Sequence, residues 1–93
     1  MSLHISEDVI WNETPDGVSL YHTATGEFRS LNPSAARIWM LVADGDDRDT
    51  VVTRLRLLYG ASTAVARERI GIDVARFLDT MVEQGMLDEK VAA

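Results

Sequence analysis

His4 and His22 are the only imidazoles of this chain, and neither has a second metal ligand at a spacing that would complete a site. Strand packing or surface exposure is the reading for both. The 15 acids are scattered, and a general acid–base pair needs a cleft that a chain of 93 residues can scarcely enclose. Without Cys, thiolate metal ligation, disulfides and thiol catalysis are excluded. No Gly-rich phosphate loop, nucleophile signature or His-rich helix is present. These residue types point away from catalysis, cofactor and metal, and toward binding.

Binding depends on the elements that present these side chains. The apolar residues Leu3, Ile5, Val9 and Trp11 share one parity, which predicts a half-buried first strand over Leu3–Trp11. Thr14-Pro15-Asp16-Gly17 is a turn: Pro fixes φ, Asp folds back on the backbone, and Gly accepts positive φ. Val18–Thr23 is the second strand and Ala24-Thr25-Gly26 a second turn; a bulge at either Gly17 or Gly26 would shift the register by one. Glu27–Leu31 is the third strand. Asn32 then has the side chain of an N-cap, and Pro33 suits the first position of a helix. That first helix runs over Pro33–Ala43 with Ala35, Ile38, Trp39 and Val42 on one face, and stops at Asp44-Gly45.

Asp46-Asp47-Arg48-Asp49 supplies a cap and favourable negative charge to a second helix, Thr50–Tyr59, closed by Gly60. Ala61–Ala66 is read as a linker that either stays open or starts the third helix early, with Ser62 or Thr63 as cap. Ile70, Val74, Phe77 and Met81 carry a helical stripe over Ile70–Gln84, ended by Gly85, after which Met86-Leu87 folds back on the core and Glu89–Ala93 frays. The result is one α+β domain over residues 1–93, ordered over about 3–88: a three-stranded antiparallel meander followed by three helices, in a winged helix-turn-helix-like order. Leu31 before the cap and Ile38-Trp39 beyond it fasten strand end and helix to one core, and the meander ends in an edge able to accept a foreign strand.

Leu31-Asn32, Ile38-Trp39, the Asp44-Gly45 break, Leu55 to Tyr59-Gly60, and Asp73-Val74 through Phe77-Leu78 to Gly85-Met86-Leu87 resemble the PqqD family over about residues 5–88. The chain departs from the family pattern in Met86, where Leu is usual, and in a long linker over residues 60–70. The family is named for a protein of pyrroloquinoline quinone (PQQ) biosynthesis, and its fold recurs as the precursor-peptide recognition element of ribosomally made, modified peptide (RiPP) pathways. The resemblance implies a non-catalytic peptide chaperone that captures a precursor leader as an added β-strand. It then presents that leader to a leader protease, as in lasso peptide biosynthesis, or to a radical S-adenosylmethionine or other modifying enzyme. Carried onto this sequence, the edge would be Glu27, Phe28, Arg29, Ser30 and Leu31. The opposing helical wall would be Asp73, Val74, Arg76, Phe77, Thr80 and Met81. A stand-alone domain leans toward the lasso-type role.

Charge separates this reading from its rival, a winged-helix DNA-binding regulator. The formal net charge is −6, and no third of the chain is net basic. Nucleic-acid affinity needs cations that replace phosphate counterions, and Arg67, Arg69 and Arg76 share their segment with Glu68, Asp73, Asp79 and Glu83. No nucleic acid is expected as partner. The start of the chain lacks a signal-peptide pattern and no apolar run reaches the roughly 18–20 residues that span a bilayer, so no membrane association is expected either. A cytoplasmic monomer or weak homodimer is the expectation.

Overall fold

Pro15 and Asp16 form the two-residue turn that folds the first hairpin, and Gly17 follows at φ +148°, a backbone conformation that side chains resist. This computed structural model describes residues 2–90. The hairpin joins β2 (Val9–Thr14) to β3 (Gly17–His22), and β3 in turn pairs with β4 (Phe28–Leu31). All pairings are antiparallel, in the order β2-β3-β4. Asn32 then caps α1 (Pro33–Ala43), its Oδ1 accepting from the amide of Ala35 at 2.9 Å. Asp47 caps α2 (Arg48–Leu58) in the same way through Thr50, and Thr63 caps α3 (Ala64–Glu83) through Ala66. The architecture is therefore α+β, a small antiparallel sheet against three helices.

Three expectations are corrected. The segment Leu3–Trp11 is two strands, β1 (Ser2–Ile5) and β2, broken at Ser6. β3 has no residue left to pair with once Thr23 has closed the ladder on the carbonyl of Asp8 at 2.8 Å. The chain turns there, the Ser6 carbonyl accepting from the Val9 amide. β1 instead pairs with β5 (Leu87–Lys90), which the sequence reading had left as a fold-back and a frayed end. Glu89 is held in place by Arg48, which also donates to Asp79 at 2.7 Å. Those bonds, the Glu89 one first, raise the guanidinium's affinity for its proton above the ordinary. Val91–Ala93 lie outside the described residues. Finally, α2 begins at Arg48, two residues before the expected Thr50, because Asp47 takes the cap. Of the two readings of residues 61–66 the early start holds, with α3 beginning at Ala64 under Thr63, and the Ala, Arg and Glu that follow favour helix.

The core lies between the sheet and the helices. Val18, Leu20 and Leu31 meet Ile38, Trp39 and Val42 of α1, Val51 and Leu55 of α2, and Val74, Leu78 and Met81 of α3. Trp39 is fully buried and meets Trp11 edge to face, ring centres 6.2 Å apart. Leu3, Met86 and Leu87 draw the two-stranded sheet into the same core. Among the described residues no helix is long and apolar enough to cross a membrane.

The Thr50 amide holds the Asp47 carboxyl below the ordinary carboxylate value. A depressed value means that the cap's charged contribution is complete above the unfolded-state value, about pH 4, and fades as the pH falls through the lower folded value. Asp47→Asn keeps a capping oxygen but cannot titrate. Urea unfolding at successive pH values is expected to show wild type losing stability relative to Asp47→Asn only below about pH 4.

Candidate functional site

The candidate site is the outer edge of β4, and its geometry starts at a bulge. Gly26, at φ +77°, donates to the His22 carbonyl at 2.8 Å, while the His22 amide donates to the Glu27 carbonyl at 2.9 Å. Two residues thus face one, a glycine bulge of the kind the second turn allowed. His22 is buried, and its Nδ1 accepts from the amides of Ala24 and Thr25, which fixes the turn. From the bulge onward the antiparallel ladder alternates. Leu20–Arg29 and Val18–Leu31 exchange hydrogen bonds, so the main-chain groups of Phe28 and Ser30 turn away from β3 to the open side. Among the described residues no strand pairs with that side. Glu27 sits in the bulge just before β4, at the end of this edge.

Side chains alternate along β4 as well. Phe28 and Ser30 point outward, and Phe28 is 58% exposed in a row with Tyr21 and Ile10 across the outer sheet face. Arg29 and Leu31 point inward. Leu31 is buried in the core, whereas Arg29 reaches α3, its Nε donating to Gln84 Oε1 at 3.0 Å. At the other end of β4, where it runs into α1, lies a cavity of about 190 Å³. Ser34 and Ile38 of α1, Tyr59 after α2, and Ile70, Asp73 and Val74 of α3 line it. An open edge therefore lies between two features that both involve α3.

The expected wall residues are not all brought together. Asp73 is exposed at the cavity, and Val74 lines it from the core. Phe77 is half-buried against the core, and Met81 is buried. Thr80 is exposed, its hydroxyl donating to the Arg76 carbonyl. Arg76 lies in a shallow depression with Val65, Glu68, Arg69 and Ile72, and Asp73 lines both that depression and the cavity. Gln84, Ile70, Ser34, Ile38 and Tyr59 were not picked out from sequence. Gln84 was within reach of such reasoning, since it continues the flank of Phe77 by two helical turns; Tyr59 was not, because its place depends on how α2 docks. No group of three or more His, Cys, Asp or Glu could hold a metal ion among the described residues.

The carbonyl of Leu31 closes the site's inner end against Gly17: a Cβ built on Gly17 would overlap it. Gly17→Ala is therefore expected to destabilise the fold by more than about 1 kcal/mol, read as a lower denaturant midpoint. A Gly26→Ala change, with open space around it, keeps only the backbone penalty and is expected to cost less.

Comparison with known proteins gives three findings. The sequence model of the family described as "Coenzyme PQQ synthesis protein D (PqqD)" matches residues 17–87. No curated protein matches significantly. Among solved structures, "TbiB1 in Complex with the TbiA(beta) Leader Peptide" is similar at 26% identity and a TM-score of 0.79, covering 96% of this chain and 99% of that one. "Lasso peptide synthetase B1 complexed with the leader peptide" shares the fold at 24% identity and a TM-score of 0.78, over 96% and 100% of the two chains.

Proposed function

This chain belongs to the PqqD family, and we propose that it binds the leader segment of a ribosomally made precursor peptide as a strand added to the edge of β4. The main chain of Phe28 and Ser30, which no strand pairs with among the described residues, carries the reading. The leader-peptide complexes of the two similar structures support it. β2 also has an open edge. The hollow where β1 runs into β2 is polar, however, lined by His4, Ser6, Glu7, Asp8, Asp88 and Lys90 among others, and offers little for apolar anchors. An apolar hollow is also lined by Glu13 of β2 with Val18, Met40 and Leu41. What sets β4 apart is that Arg29 ties it to α3 and that it runs into α1, whose Ser34 and Ile38 line a cavity shared with α3.

Magnitudes divide the work between backbone and side chains. About four main-chain hydrogen bonds contribute roughly 0.5–1.5 kcal/mol each, net. Ordering a flexible leader costs about 2–5 kcal/mol, so the two nearly cancel. One or two apolar anchors, at about 1.5–3 kcal/mol each, decide whether binding is useful. Val74 and Phe77 are the side chains we assign to receive them. The protein has no reaction of its own in this scheme: it is a cytoplasmic adaptor, a monomer or weak homodimer, that hands the leader to a protease or a modifying enzyme. A lasso peptide pathway is the preferred setting: a stand-alone domain leans that way, and the lasso peptide synthetase B1 structure shares this fold.

Ser30→Pro removes an outward amide donor that β3 does not use, and an edge strand tolerates Pro. Fluorescence polarisation with a labelled leader peptide, selected for binding to wild type from the short reading frames that flank this gene, is expected to show Ser30→Pro binding about tenfold more weakly, with Ser30→Ala unchanged. Equal affinity for all three proteins would rule out strand addition on this edge. Phe77→Ala is expected to weaken the same titration by roughly tenfold or more; unchanged affinity in a folded variant removes Phe77 from the site. A low-salt gel shift with duplex DNA checks the winged-helix alternative, and no shift is expected.

A further inference from the structure

Arg29 ties together more of the candidate site than any other side chain. Its Nε donates to Gln84 Oε1 at 3.0 Å, its Nη1 to the Phe28 carbonyl at 3.0 Å, and its Nη2 to Glu27 Oε2 at 3.1 Å. The Phe28 carbonyl is an outward acceptor of the open edge, and Gln84 caps α3, so one guanidinium straps the edge to the helix. Each terminal nitrogen keeps its second N–H free.

A guest strand needs the Phe28 carbonyl for its own amide, which takes the oxygen's second lone pair or replaces Nη1 on the first. The guanidinium then remains beside the guest. Residues paired across two strands project to the same face, and Arg29, whose main chain bonds to β3, meets the guest at a close non-hydrogen-bonded position. The group best matched to a guanidinium fork is a carboxylate, which accepts two parallel N–H bonds. Resting on the strand-addition reading, we propose that Arg29 is the specificity-determining residue of this edge. It selects a leader with an Asp or Glu across from it and so sets the register of the added strand.

Three observations favour a carboxylate at that one station. Arg29 is the only Lys or Arg among residues 1–31, which hold five acids. Asp73 stands at the cavity by the other end of β4 and repels a leader acid placed there. The existing Arg29–Glu27 pair is 40% and 43% exposed, the kind of surface contact that exchanges at little cost. A slip of one residue would carry the leader carboxylate to the opposite face.

The test is fluorescence polarisation with a fluorescein-labelled leader peptide, selected for binding to wild type from the short reading frames that flank this gene. Each Asp or Glu of that peptide is changed singly to its amide and titrated against wild type, Arg29→Gln, Arg29→Glu and Ser30→Pro, all checked for folding by circular dichroism. One amide substitution is expected to weaken binding to wild type about tenfold while leaving binding to Arg29→Gln unchanged. Lys at that leader position is expected to restore binding to Arg29→Glu. If Arg29→Gln binds as tightly as wild type while Ser30→Pro binds poorly, this inference is overturned and strand addition stands. If wild type binds none of the flanking peptides, both are overturned.

Discussion

An exposed strand edge is a row of backbone donors and acceptors that water satisfies less well than a partner strand would. Among the described residues, the three-stranded sheet of this fold leaves two such rows open, on β2 and on β4. β1 runs directly into β2 and covers neither. The turn at Ser6 sends β1 instead to β5, where Ser2 faces Lys90 and Ile5 faces Leu87. Leu3, Met86 and Leu87 are buried in that pairing, so it is held by core packing as well as by its ladder. The two chain ends neutralise each other's edges and leave β4 with β3 alone.

An open edge is also a liability, because it can pair with another copy. β4 limits the hazard by being four residues long and by carrying Arg29, with Glu27 beside it. Arg29 lends a donor to the Phe28 carbonyl, so part of the edge is satisfied within the chain. The net charge of −6 adds a general repulsion between copies. Short length, local charge and net charge together disfavour self-pairing without burying the main-chain groups that a specific guest would use.

How legible all this is in the sequence depends on the range of the interaction involved. Asn32-Pro33, Asp47, Thr63 and Gly85 act within one turn of themselves, and the helix ends they define were readable or nearly so. The bulge at Gly26 was readable as an option but not as a fact, since it depends on which residue of β3 it opposes. The break at Ser6 was hidden because Leu3, Ile5, Val9 and Trp11 keep one parity across it, so periodicity alone sees a single strand. β5 was hidden for a complementary reason. Leu87-Asp88-Glu89-Lys90 is too polar to read as a strand, and only its distant partners, β1 and Arg48, make it one. The site divides in the same way. The edge residues Glu27–Leu31 follow from local order, and the flank of α3 follows from helical spacing. The cavity wall does not, because Ser34, Tyr59 and Ile70 come from three elements whose docking no local pattern encodes.

The same division bears on selectivity. Main-chain bonds along β4 are indifferent to the guest's sequence, so they can align a peptide without choosing it. Choice must come from features at the two ends of the edge, and these differ in kind: an apolar cavity beside Asp73 at the α1 end, and a guanidinium held between Phe28 and Gln84 at the bulge end. A strand slipped by one residue turns an apolar anchor and a charge alike to the wrong face. Slips of two residues keep the face, and there an apolar pocket discriminates less than a charged one, since apolar residues of similar size replace one another at modest cost. On the strand-addition proposal, two unlike contacts separated by a short strand would fix both where a guest begins and which way it runs.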